Sequence, residues 1–256
     1  MSRNGFKILD SDTHVYEPSE LLEQYLSAKW KKALEACQPP MLKIPIRGGL
    51  HMYGLGSRKA GQRRLGTREQ AASPASSTTG NAGAGVPWGV HWKGPPWPSE
   101  QVNRNPHSRV QDMDIEGVDV HVIYPTRGVN GFADVEDAGL ELAMYEAYHR
   151  YIADYCEPYP KRLKSVILAS TREIERSVLE ITRCAREGWP VALFPITPPG
   201  YPLDDPALDP LWTSAVANDL AVIVHPFNLS NPLSPGLDDM WDNVFLERAA
   251  GGSLPA

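Results

Sequence analysis

Lys7-Ile8-Leu9-Asp10-Ser11-Asp12-Thr13-His14 begins apolar and runs directly into alternating acidic and imidazole side chains. It reads as a strand, Phe6 to Asp12, that ends in metal ligands. Residues i and i+2 of a strand project to one face, so the Asp12 oxygen and the His14 nitrogen are expected side by side at its carboxyl end. Asp10 shares the expected face of Asp12 one step deeper, where it is predicted to stand behind the ligands and orient His14. Far downstream, Leu220-Ala221-Val222-Ile223-Val224 also stops on a histidine, His225, followed by Pro226. Two strands thus offer donors for one divalent ion.

Between these ends, strands alternate with helical segments, the signature of a parallel α/β architecture. Further strands are expected at Val118 to Tyr124, Leu163 to Leu168 and Val191 to Pro195, with the last at Leu220 to His225. Their nearly continuous apolar runs suit strands covered on both faces. Helices are predicted for Ser19 to Lys32, Glu136 to Glu157, Glu173 to Glu187 and Ala207 to Asn218, the third stopping at Gly188, a natural left-handed cap. The chain reads as a single domain, 1–256, with an insertion at about 45–107 rich in Gly, Pro, Ser and Thr. Residues 54–86 there are expected to be poorly ordered. Seven basic residues from Lys43 to Arg68 suggest either an anion-binding flap or, more plainly, a solvated insertion. His51, His91 and His107 lie in this irregular segment without paired spacing and are not expected to be ligands.

Composition excludes several classes. A chain of 256 residues, 42% hydrophobic and 22% charged, can bury a large core. A net charge of −6 argues against a nucleic-acid partner, because phosphate binding needs a basic surface. No apolar run approaches the ~18 residues of a membrane span, so the protein is expected in the cytoplasm with no membrane partner. Three separated cysteines, Cys37, Cys156 and Cys184, form no CxxC pair and read as reduced thiols.

Asp10-x-Asp12-x-His14-x-x-Glu17-Pro18, Arg109 to Val120, Tyr124-Pro125-Thr126, Asp209-Pro210-Leu211-Trp212 and Val224-His225-Pro226 occur in an order that resembles the amidohydrolase-related (amidohydrolase 2) family of metal-dependent decarboxylases and hydrolases. The resemblance implies a (β/α)8 TIM-barrel-like fold with its metal at the carboxyl ends of the strands. It also implies ligation by Asp12, His14 and His225. Many relatives carry His-x-His where this chain has Asp12-x-His14, and the oxygen donor broadens the metal from zinc toward manganese or magnesium. A small aromatic or keto acid is the implied substrate, with metal-dependent decarboxylation as the implied reaction. Hydrolysis of C–N or C–O bonds remains the alternative, as does a non-catalytic fragment acting in binding or assembly. A homo-oligomer is left open.

About five of eight βα units are legible before Ala256. The resemblance therefore implies a barrel missing its C-terminal third, together with a further metal-binding aspartate and a catalytic histidine that relatives take from later strands. Asp238, Asp239 and Asp242 come too soon to replace that aspartate. The expected consequence is a chain inactive, or nearly so, as an isolated monomer. Other residues have plainer readings. Glu17 is expected to cap the following helix, His121 and His149 to pack or lie exposed, and Arg127 either to reach a substrate carboxylate bidentately or to be an ordinary surface arginine.

Overall fold

The apolar runs form one sheet of five parallel strands in the computed structural model, which describes residues 5–18, 20–37, 41–46, 50–55, 105–126, 132–196, 203–223 and 225. They are β1 (Leu9–Val15), β4 (Val120–Pro125), β5 (Leu163–Ser170), β6 (Pro190–Ile196) and β7 (Ala221–Val222), in that spatial order. Each new strand is laid beside the previous one, the winding of a β/α barrel; a doubly wound sheet reverses direction midway. β5 is buried at every position except Lys164, which is half-buried. Such burial explains why its sequence is a continuous apolar run rather than an alternating one.

Helices α1 (Leu21–Tyr25), α2 (Ala28–Ala36), α3 (Pro106–Glu116), α4 (Ala138–Cys156), α5 (Ile174–Glu187) and α6 (Asp209–Ala217) pack around the sheet. The expected helix Ser19 to Lys32 is broken, because Leu26 and Ser27 turn extended and separate α1 from α2. Leu21, Leu22 and Leu26 all remain in the core. α4 exceeds the single apolar stripe read from its spacing, for every residue from Leu140 to Tyr145 is buried. It packs on β5 while α1, α2 and α5 lie against it. α5 ends at Gly188 with φ +74°, as expected of a left-handed cap.

Several boundaries move. β1 begins at Leu9 rather than Phe6, since Asp119 closes against the Ile8 backbone: its amide donates to Ile8 O at 2.9 Å and its carboxylate accepts from Ile8 N at 2.9 Å. α3 has no counterpart among the expected helices, although its start is local and legible. Asn105 Oδ1 accepts from His107 N at 2.9 Å, Pro106 occupies the first turn, and Gly117 closes the helix at φ +79°. The beginning of the supposed irregular insertion is an antiparallel hairpin, β2 (Met41–Ile46) with β3 (Leu50–Leu55). Gly54 and Leu55 therefore belong to a strand, while 56–86 lie outside the described residues. Among the described residues no helix is long and apolar enough to cross a membrane.

Candidate metal centre

The ladder between β1 and β4 contains the decisive irregularity. Asp10 pairs with His121 and Thr13 with Ile123, so β1 advances three residues while β4 advances two. One extra residue in a strand is a bulge, and it reverses the alternation of side chains beyond it. The Asp12 amide donates to Asp10 Oδ1 at 3.1 Å across this bulge. Beyond it His14 pairs with Tyr124. Because His121 and Tyr124 are three apart on β4, their side chains take opposite faces, and so do those of Asp10 and His14.

On the site face, Asp12 meets both histidines. Its Oδ1 lies 3.4 Å from His14 Nε2 and 3.2 Å from His225 Nε2. The His14 and His225 rings meet edge to face with centroids 5.1 Å apart, and one donor atom from each of the three residues falls within 4.8 Å of the others. His14 Nδ1 sits 2.9 Å from Pro125 O. A carbonyl only accepts, so Nδ1 carries the hydrogen and Nε2 presents its lone pair to the cluster. Asp12 is 65% exposed and His225 only 9%, so one side of the cluster opens to solvent. Burial, aided by His14, pushes the His225 imidazole below its ordinary value against the pull of Asp12.

His225 stands beyond the two residues that form β7. The strand expected as far as His225 stops at Val222, although Ile223 N still donates to Leu193 O at 2.9 Å. Two aromatic side chains given no role from sequence complete the surroundings. Tyr124 lies 5.1 Å from the His225 ring and 5.9 Å from the His14 ring; Phe194, from β6, lies 6.4 Å from His225. Both rings are buried. Burial and the Asp12 charge raise the Tyr124 hydroxyl above its usual value. Tyr124-Pro125-Thr126 marked the place in the sequence, while nothing local marked Phe194.

One sequence expectation needs correction. Asp10 does not orient His14, because the bulge turns it to the opposite face; the Pro125 carbonyl holds the imidazole instead. Glu17 has a contact that the sequence did not suggest: its Oε1 accepts from Thr126 N at 2.7 Å and ties the ends of β1 and β4 together. Arg127 and Asp238, Asp239 and Asp242 lie outside the described residues. A second cluster, His149, Glu180 and Cys184, also falls within ligand distance but is fully buried. There His149 Nδ1 donates to Glu180 Oε1 at 2.8 Å and Nε2 accepts from Leu168 N at 3.0 Å. With both ring nitrogens committed, it pins α4 to α5 and β5 and offers no imidazole lone pair.

Comparison with known proteins gives a consistent picture. The Amidohydro_2 model, described as amidohydrolase, matches residues 59–247. A 2-amino-3-carboxymuconate-6-semialdehyde decarboxylase of Dictyostelium discoideum is 29% identical over 126 residues, which make up 49% of this chain and 34% of that protein. A solved 5-carboxyvanillate decarboxylase of Novosphingobium aromaticivorans, complexed with manganese and 4-hydroxy-3-methoxy-5-nitrobenzoic acid, superposes with a TM-score of 0.51 at 19% identity, over 93% of this chain and 56% of that one. A 2,6-dihydroxybenzoate decarboxylase from Rhizobium gives a TM-score of 0.47 at 13% identity, over 96% and 59% of the two chains. The match thus spans about a third of the curated relative's length. Taken with the sequential parallel sheet, the carboxyvanillate decarboxylase structure puts the fold in the α/β, TIM-barrel class.

Proposed function

The chain belongs to the amidohydrolase family, and from that premise we propose that it serves metal-dependent decarboxylation of a small aromatic or keto acid at a centre formed by Asp12, His14 and His225. The convergence of these three side chains from β1 and from the residue following β7 carries the reading. Their spacing fits a metal. Two ligands each bonded at ~2.1 Å and separated by 90–109° stand ~3.0–3.4 Å apart, and the two donor separations from Asp12 are 3.2 and 3.4 Å. A carboxylate with two imidazoles suits manganese or zinc. The choice of decarboxylation over hydrolysis rests on the relatives, each named as a decarboxylase.

A divalent ion held there supplies Lewis-acid polarisation of a substrate oxygen. The protein's own groups prepare the site for it. Pro125 O fixes the His14 tautomer, the Asp12 carboxylate offsets the cation's charge, and the Tyr124 and Phe194 rings present apolar walls against which a planar acid packs. Tyr124, its hydroxyl held protonated by burial and by Asp12, is a hydrogen donor beside the centre. Arg127, two residues beyond Pro125, is proposed as the partner of the substrate carboxylate.

The test is an assay of manganese- and zinc-loaded protein against hydroxybenzoates, keto acids, simple amides and lactones. Ultraviolet loss of substrate and released carbon dioxide are followed, with Asp12→Ala and His225→Ala as controls. Metal-dependent carbon dioxide release that disappears in both controls supports the reading. Turnover of amides or lactones alone replaces it with hydrolysis, and metal binding without any turnover replaces it with a non-catalytic role.

A further inference from the structure

On the opposite side of β1 from the candidate centre, Arg109 is buried at 4% exposure. A guanidinium is costly to remove from water and is retained inside a protein only where its donors are met. From α3 it reaches three other elements. Nη2 donates to His14 O at 2.5 Å, Nε donates to Tyr155 Oη of α4 at 2.9 Å, and Nη1 lies 3.4 Å from His121 Nδ1 of β4. The next carbonyl along β1, Val15 O, accepts from Thr126 Oγ1. Thr126 N in turn donates to the buried carboxylate of Glu17. Just where β1 ends, two successive carbonyls are therefore met by side chains.

We propose that Arg109, supported by Thr126 and Glu17, is the positioning residue of this centre. It grips the His14 carbonyl while Pro125 O grips the His14 ring, so the ligand is held from both ends. Through the intervening peptides the same grip fixes Asp12, which follows a bulge and lacks the restraint of a regular ladder. Its role is one of position: it sets the angle at which two ligands present their donor atoms. Groups behind metal ligands act in this way, and their loss typically weakens metal binding ~10–100-fold. The inference rests on the reading of Asp12, His14 and His225 as a metal centre.

The test titrates the full chain with Co2+, reading visible d–d absorption for geometry and competition with a chelator for affinity. Wild type is compared with Arg109→Met, Arg109→Lys, Thr126→Val and Glu180→Gln, the last a break in the buried cluster away from the centre. Arg109→Met is expected to weaken cobalt binding ~10–100-fold and alter the absorption bands, with partial recovery in Arg109→Lys, whose ammonium again donates to His14 O. Glu180→Gln should lose stability yet keep wild-type affinity and bands. If Arg109→Met does not fold, Arg109→Lys and Thr126→Val carry the test, each expected to weaken binding. Wild-type affinity and bands in the Arg109 and Thr126 variants overturn the inference, as does equal weakening by Glu180→Gln. A wild-type chain that takes up no cobalt overturns the metal reading itself, and the positioning role with it.

Discussion

Replacing His121 by Gln should flatten the acid side of the stability curve. His121 is buried at 7% exposure, and its Nε2 finds no partner among the described residues. Burial first, then the Arg109 charge, push its imidazole from 6.5 down to about 4; Arg162 adds to this and Asp10 opposes it. Between those two values the unfolded chain binds a proton that the native chain refuses. The associated stability is therefore fully present above about pH 6.5 and is lost as the pH falls toward about 4. At 1.36 kcal/mol per pH unit, the gap corresponds to about 3.4 kcal/mol, of which about 2 kcal/mol disappears between about pH 7.5 and pH 5. His121→Gln keeps an acceptor for Arg109 and cannot titrate. Urea unfolding followed by tryptophan fluorescence in EDTA, at both pH values, measures the difference. Every other ionisable group is common to the two proteins and cancels in the comparison. Wild type should lose about 2 kcal/mol more than the variant; equal losses would refute the assignment of His121 as a histidine buried neutral.

Glu180→Gln should cost about 3 kcal/mol of unfolding free energy by chemical denaturation. The hydrogen bonds from Arg183 and His149 hold the Glu180 carboxyl well below the usual range despite burial, so the wild-type contribution is present above about pH 4.3 and fades on further acidification. Adding Mn2+ at about 100 times its Kd should raise wild-type stability by about 2.7 kcal/mol and leave Asp12→Ala unmoved, which a thermal-shift titration will detect. Asn105→Ala removes the acceptor at the start of α3 and should lower stability by about 1 kcal/mol. Because α3 carries Arg109, the same variant should loosen cobalt binding if the cap is needed to seat that helix.

The sequence by itself determined the alternation of strands and helices and named the three side chains that converge. Both are local properties. Apolar continuity marks a strand covered on two faces, as in Leu163–Ser170, and a polar residue ending such a run marks a carboxyl end where a parallel sheet opens. Asn105-Pro106 and Gly117 are equally local signals for α3, set at the edge of a segment whose composition reads as irregular. What the tertiary structure alone decided was register and contact across long sequence separations. The bulge that turns Asp10 away from His14 is a relation between β1 and a strand about 110 residues later, and a segment's own period cannot reveal a residue inserted relative to its partner. Arg109 on His14 O and Glu17 on Thr126 N span 95 and 109 residues. In each case a side chain meets a backbone group at or just beyond the end of a strand far away in sequence, a contact that exists only once the strands are assembled.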